Sequence, residues 1–263
     1  MSSLYMVFYL LMSDKNLHPV MKCSKNFKFL FLNYVFFYTA YNRLLTKNGE
    51  SQVMIITGES GAGKTETAKL LTQYLAAVNK SGSQNLITEQ ILEAIPMLES
   101  FGNAKTIRND NASRFGKYMM IMFKDGVISG AKLNDYLLEK SRIVTQAGDE
   151  RNYHVFYELL EGMSKEQKDK YGLMSADKYF YLNQGGQIKI DGKNDQDDFE
   201  TMQSALQVLS FSTEECETIY KILASILHLG NVYFHRKQVC YCFYLLVLSQ
   251  LILSQRSKCR EGI

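Results

Sequence analysis

Gly58-Glu59-Ser60-Gly61-Ala62-Gly63-Lys64-Thr65 is the stretch whose residue types and spacing best suit a chemical task. It fits the P-loop pattern Gly-x-x-x-x-Gly-Lys-Ser/Thr in full. Glycines at those places let successive backbone N–H groups turn inward around phosphate oxygens. A helix that starts at the lysine adds the partial positive charge of its N-terminus. Lys64 would then reach the β- and γ-phosphates of a nucleotide, and Thr65 would present its hydroxyl to Mg2+. A glycine-rich turn is the plain alternative. The flanking sequence disfavours it, because a strand should precede such a loop and a helix should follow it.

A second stretch, Asn109-Asp-Asn-Ala-Ser113-Arg114-Phe115-Gly116-Lys117, lies about 45 residues further on. Polar side chains with a glycine at a loop-to-strand junction suit a switch that senses the γ-phosphate and completes the Mg2+ shell. Taken alone, the same residues read as a hydrophilic surface loop. Lys105 and Arg108 beside it would favour phosphate, or would be solvated loop charges. His154 and His228 fall on apolar helical faces and read as packing or capping groups rather than metal ligands. Asp191 to Asp198 reads as a solvated loop or helix start rather than a metal site.

These residues need elements to hold them. Gln52 to Thr57 is a short apolar run between Gly49 and Gly58, as a buried strand requires. An amphipathic helix follows to about Val78, with Ala68, Leu71, Leu75 and Val78 on one face. Lys80 to Ser83 reads as a loop, and a second helix is expected from Leu86 to Ser100, kinked or ended early by Pro96. Residues 102–113 read as a polar loop. Lys117 to Phe123, an Asp125-Gly126 turn and Val127 to Leu138 read as a β-hairpin. Beyond Leu138 the pattern is helical, most clearly over 150–162 and 213–229. The latter carries Ile219, Ile222, Leu223, Ile226 and Leu227 as one stripe.

The 263 residues are 46% hydrophobic and 22% charged, enough for a sizeable core, so disorder and a disulfide-stapled miniature fold are excluded. A net charge of +3 with no basic-aromatic platform gives no case for nucleic acid. Five cysteines without a Cys-x-x-Cys pair suggest a reducing, intracellular compartment. The charge is uneven. Residues 1–38 hold four lysines and one acid, and 239–263 hold three basic residues and one acid, which leaves 23 basic and 25 acidic residues between. The ends are apolar and carry Cys23, Cys240, Cys242 and Cys259. Neither contains the roughly 20 continuous apolar residues of a membrane span, so membrane insertion is not expected.

GESGAGKTE together with NDNASRFGK resembles the P-loop and switch I of the myosin motor head. The resemblance continues in order through Leu98–Thr106, Tyr136–Arg142, Glu150–Tyr157 and Ile226–Asn231, and covers Ala40 to Gln238. It implies an α/β fold: a P-loop core with a mainly parallel sheet, an antiparallel hairpin and added helices. It also implies roles. Lys64 and the amides of Gly58, Glu59, Ser60, Gly61, Ala62 and Gly63 would hold the phosphates of ATP. Thr65 and Ser113 would ligate Mg2+, Asn109 would contact the phosphate region, and Arg114 would pair with a glutamate of switch II. The parent would be an actin-activated ATPase of the cytoplasm and actin cytoskeleton, within a myosin complex.

Two kinds of departure are visible. Ala112 stands where myosins commonly have a serine beside the attacking water, so slower hydrolysis is expected. No Asp-x-x-Gly-x-Glu occurs in the sequence, which leaves Arg114 without a visible partner. The actin-binding segments are also not recognised. The expected organisation is therefore a partial motor domain over 39–238 between atypical ends, 1–38 and 239–263, of the kind that misplaced exon boundaries or a truncated product would give. A small-kinase-like phosphotransferase would need an acceptor site that is not apparent. A fragment that binds nucleotide without turning it over is the nearer alternative.

Overall fold

Short apolar strands, a glycine-rich corner and amphipathic helices follow one another as the sequence patterns require. The computed structural model describes residues 2–8, 21–22, 27–46, 51–78 and 85–234. Strands β1 (Ser2–Phe8) and β2 (Met21–Lys22) precede helix α1 (Phe27–Leu44). Strand β3 (Gln52–Thr57) runs through the glycine loop into α2 (Lys64–Val78). Helix α3 (Asn85–Gly102) leads to β4 (Asn103–Thr106) and β5 (Asn109–Ser113), then to β6 (Gly116–Lys124) and β7 (Val127–Tyr136). Among the described residues the α-helices that follow β7 are α4 (His154–Gly162), α5 (Lys165–Tyr171), α6 (Phe180–Asn183), α7 (Asp195–Val208) and α8 (Thr213–Gly230). All of these lie in the unit Met1–Asn231; the second unit, Val232–Ile263, has only Val232, Tyr233 and Phe234 among the described residues.

Five strands form a sheet in the order β2-β3-β1-β6-β7. It is mixed rather than mainly parallel: β3 pairs in parallel with β1 and β2, while β6 is antiparallel to both β1 and β7. The antiparallel pairing of β6 with β7 follows from the turn between them. Asp125 and Gly126 take φ 52° and 80°, and positive φ at both central residues suits a two-residue hairpin turn. Strand β1 sits at the centre of the sheet although it belongs to the atypical first 38 residues, and α1 runs across the expected boundary at 38/39.

Other expectations need correction. The stretch 102–113 is not a loop; β4 and β5 form a two-stranded antiparallel hairpin, with Asn103 opposite Ser113 and Ala104 opposite Ala112. Thr106 supports its turn, because its hydroxyl donates to the Asn109 carbonyl at 3.1 Å. Polarity concealed the strands, since neither face is apolar. Helix α3 continues six residues past Pro96 instead of ending there. In α8 the buried stripe is Tyr220, Leu223, Ala224 and Leu227, whereas Ile222 is 55% exposed. The expected loop at 80–83 and the apolar run Val239–Leu253 lie outside the described residues. Among the described residues no helix is long and apolar enough to cross a membrane.

Two cores result. One joins Phe37, Tyr41 and Leu44 of α1, Met54 and Ile56 of β3, Leu71 and Leu75 of α2, and Met119, Ile121 and Phe123 of β6. The other packs α4 through Phe156, Tyr157 and Leu159 against Phe199, Met202 and Leu206 of α7, and includes Leu223 and Leu227 of α8. The first fixes the start of α2 against the end of β3. The second anchors the segment that follows the sheet.

Candidate nucleotide site

The glycine loop joins the end of β3 to the first turn of α2, the placement a phosphate cradle needs. Gly61 and Gly63 take φ 79° and 88°, which side-chain-bearing residues rarely adopt, so the glycines are required by conformation. A Cβ on Gly61 would lie 3.7 Å from the Arg108 carbonyl oxygen and from Asn109 Cβ. The loop therefore lies against the β4–β5 turn. Lys64 Nζ donates to the carbonyl oxygens of Gly58 at 2.6 Å and Glu59 at 2.7 Å, which curls the side chain over the loop it follows. Thr65 and Lys64 are half-buried in the first turn of α2. Backbone N–H groups at a helix start, one ammonium and one hydroxyl form a donor set that fits a nucleotide polyphosphate with its Mg2+.

On the facing hairpin, Asn109 Oδ1 accepts from the Asn111 backbone N–H at 3.1 Å, an Asx-type turn that orders the entry to β5. Ser113 Oγ donates to the Phe115 carbonyl at 3.3 Å. Ala112 is buried, cross-paired with Ala104. Lys105 pairs with Asp110, and Arg108 is exposed in the turn.

Arg114 does have a partner. Its Nε lies 2.7 Å from Glu139 Oε2, which also accepts from Arg142 Nε at 2.8 Å. Arg142 continues to Glu150 at 2.8 Å. Burial alone would raise the Glu139 carboxyl, but hydrogen bonds from Arg114 and Arg142 and their charges hold it below the ordinary carboxylate range. Glu139 lies 25 residues after Arg114, and the fold closes that gap through β6 and β7.

A buried polar cluster lies between α4 and α7, where the sequence pattern indicates only a solvated acidic run. Arg151, fully buried, donates to Asp195 Oδ2 at 2.8 Å and lies 3.7 Å over the Tyr157 ring. Asp195 is therefore not a solvated acid. Lys193 bridges Glu158 of α4 and Asp198 of α7. Glu158, Asp195 and Asp198 come close enough to hold a metal ion, but Lys193 and Arg151 already place cationic groups on them. His154 is buried nearby, and neither ring nitrogen has a hydrogen-bond partner among the described residues. His228 Nε2 lies 2.9 Å from the Tyr171 carbonyl. The acidic run gave a hint of this cluster, but nothing local paired it with Arg151, 44 residues away.

The family model of the myosin head (motor domain) matches residues 34–241. The chain belongs to the myosin head family. It is 57% identical over 187 residues to human unconventional myosin-XV, which covers 71% of this chain and 5% of that relative. It is 51% identical over 193 residues to unconventional myosin heavy chain 6 of Caenorhabditis elegans, covering 73% of this chain and 9% of the relative. Drosophila melanogaster myosin-VIIa is 55% identical over 184 residues, 70% of this chain and 8% of its own length. The chain thus spans less than a tenth of the length of these myosins. The matched span of the myosin head takes in both the glycine loop and the β4–β5 hairpin. It also begins inside α1, upstream of the boundary expected at residue 39.

Proposed function

We propose that this chain is the ATP-binding part of an actin-based myosin motor whose parent couples Mg-ATP hydrolysis to movement on actin in the cytoplasmic cytoskeleton. One observation carries the reading: a P-loop in register between β3 and α2, with Gly61 against Asn109 of the facing hairpin. The amides of Gly58 to Gly63 and the Lys64 ammonium would hold the phosphates. The hydroxyls of Thr65 and Ser113 would hold Mg2+, which when bound neutralises phosphate charge. Asn109 would contact the phosphate region across from Gly61, and Arg114 would exchange Glu139 for a partner in the parent when the site closes. For the whole head we extend the fold to the mainly parallel sheet of a P-loop core, with β2, β3 and β1 as part of it.

Turnover by this chain is proposed to be impaired. Ala112 lacks the hydroxyl that myosins commonly place beside the attacking water, and no Asp-x-x-Gly-x-Glu occurs among the 263 residues. Equilibrium titration of the purified chain with a fluorescent ATP analogue tests the reading. Wild type is expected to bind in the presence of Mg2+. Lys64→Ala should bind at least tenfold more weakly, because a charge-assisted hydrogen bond contributes about 1.5–3 kcal/mol. Absence of binding by wild type would refute nucleotide recognition. Actin-stimulated hydrolysis by this chain would refute the impairment.

A further inference from the structure

Beyond the approach of Gly61 to Asn109, α2 and β5 are joined through one carboxylate on α3. Glu99 Oε1 lies 2.9 Å from Lys69 Nζ on α2, and Glu99 Oε2 accepts from Asn111 Nδ2 on β5 at 3.2 Å. Asn111 is held in turn, because its Oδ1 accepts from Asn103 Nδ2 at 2.9 Å. Lys69 is held at its other side by Glu66 at 3.2 Å. Buried Lys117 on β6 adds a second positive charge within electrostatic reach of Glu99.

The positions of the two partners matter more than their number. Lys69 is four residues after Thr65 in α2, so the two lie one above the other on one helix face. Asn111 is two residues before Ser113 in β5, so those two share one face of the strand. Thr65 and Ser113 are the hydroxyls proposed to share Mg2+. Each is thus next, on its own element, to a side chain that Glu99 holds.

We infer that Glu99 is a positioning residue: its two carboxylate oxygens tie α2 to β5 and so set the separation of Thr65 and Ser113. This rests on the nucleotide-binding reading above. In this role Glu99 acts through Lys69 and Asn111. Groups that orient metal ligands from behind typically change metal affinity by about 10- to 100-fold when removed. Glu99→Gln keeps the size of the side chain, removes its charge and turns an amide toward Lys69.

The test titrates the purified full chain with a fluorescent ATP analogue, once in Mg2+ and once in EDTA. In Glu99→Gln the gain in affinity that Mg2+ confers should fall about tenfold. Affinity in EDTA, set by the glycine loop and Lys64, should stay within about twofold. Asn111→Ala, at an exposed residue, should reproduce the loss on its own, and Glu99→Gln should add nothing to it, since both cut the same link. A Mg2+ gain that survives in both variants overturns the inference. So does an equal fall in Mg2+ and in EDTA, which marks a merely structural role. Wild type that binds the analogue in neither condition overturns the nucleotide reading itself, and Glu99 positioning with it.

Discussion

His154 is neutral in the folded chain. Burial first, and then the charges of Lys193 and Arg151, hold its imidazole well below the usual histidine range. In the unfolded chain it titrates near pH ~6.5. The sign follows from linkage: below about pH 6.5 the unfolded chain takes up a proton that the fold refuses, so stability is lost as pH falls, by up to ~1.4 kcal/mol per pH unit. Glu158 opposes this. Burial raises its carboxyl despite Lys193, so its ionisation costs stability as pH rises above the ordinary glutamate range. The two windows overlap, and a difference between variants separates them. His154→Leu should gain on wild type progressively as pH falls from about 7 to about 5.5, read as a growing difference between the two unfolding temperatures, because Glu158 contributes equally to both profiles. Parallel melting profiles for the two chains would show that His154 is not the acid-sensitive group.

Helix α3 reaches the candidate site only because its last residue is small. A Cβ on Gly102 would meet the Phe115 ring at 2.3 Å, and the Gly102 carbonyl accepts from the Arg114 N–H at 2.8 Å. The junction between α3, β4 and the start of β6 is thus packed around a missing side chain. Gly102→Ala brings two opposing effects. Alanine improves helix propensity by at most ~1 kcal/mol at a helix end. Displacing a buried aromatic ring costs about 1–3 kcal/mol. The second should win, so Gly102→Ala is expected to lower the midpoint of urea unfolding at an unchanged slope; a midpoint equal to or above that of wild type would contradict this packing argument. At the other end of the chain, α8 needs no tertiary help to start. Ser212 caps it, with the Glu215 N–H on the serine hydroxyl and the Glu215 carboxylate on the Ser212 N–H.

For the whole molecule, ligand binding and folding are linked. If the glycine loop, α2 and the β4–β5 hairpin form one site, Mg-ATP binds only the folded chain. At a hundredfold excess over its dissociation constant it should then stabilise the fold by ~2.7 kcal/mol. Differential scanning fluorimetry should show a rise in Tm with Mg-ATP for wild type, and a much smaller one for Lys64→Ala at the same concentration. Equal rises in both would mean that nucleotide binds somewhere other than the loop. The net charge of +3 also divides at this scale, because the segment between the two atypical ends is slightly acidic. No general attraction to polyanions accounts for a shift that depends on Lys64.

Local residue order is enough to specify whatever acts over a few residues. The strand–loop–helix unit at 52–78, the Asp125-Gly126 hairpin, the burial of Ala68, Leu71 and Leu75 in α2 and the start of α8 follow from periodicity, capping and turn chemistry, all local. Val78, expected on the same face of α2, is 44% exposed at the helix end, and α4 starts at His154 rather than at 150. Motif order was equally plain, because Gly58 to Thr65 and Asn109 to Lys117 each need their residues in one fixed spacing. Tertiary structure decided the rest. It gave Arg114 a partner in Glu139, paired Arg151 with Asp195, and put Glu99 between Lys69 and Asn111. It also made two strands of a polar segment that has no apolar face. Each of these joins residues from different elements, and a pairing between distant residues leaves no period in the sequence. Charge and hydrogen-bonding capacity show that such side chains need partners; only the path of the chain through space settles which partners they meet.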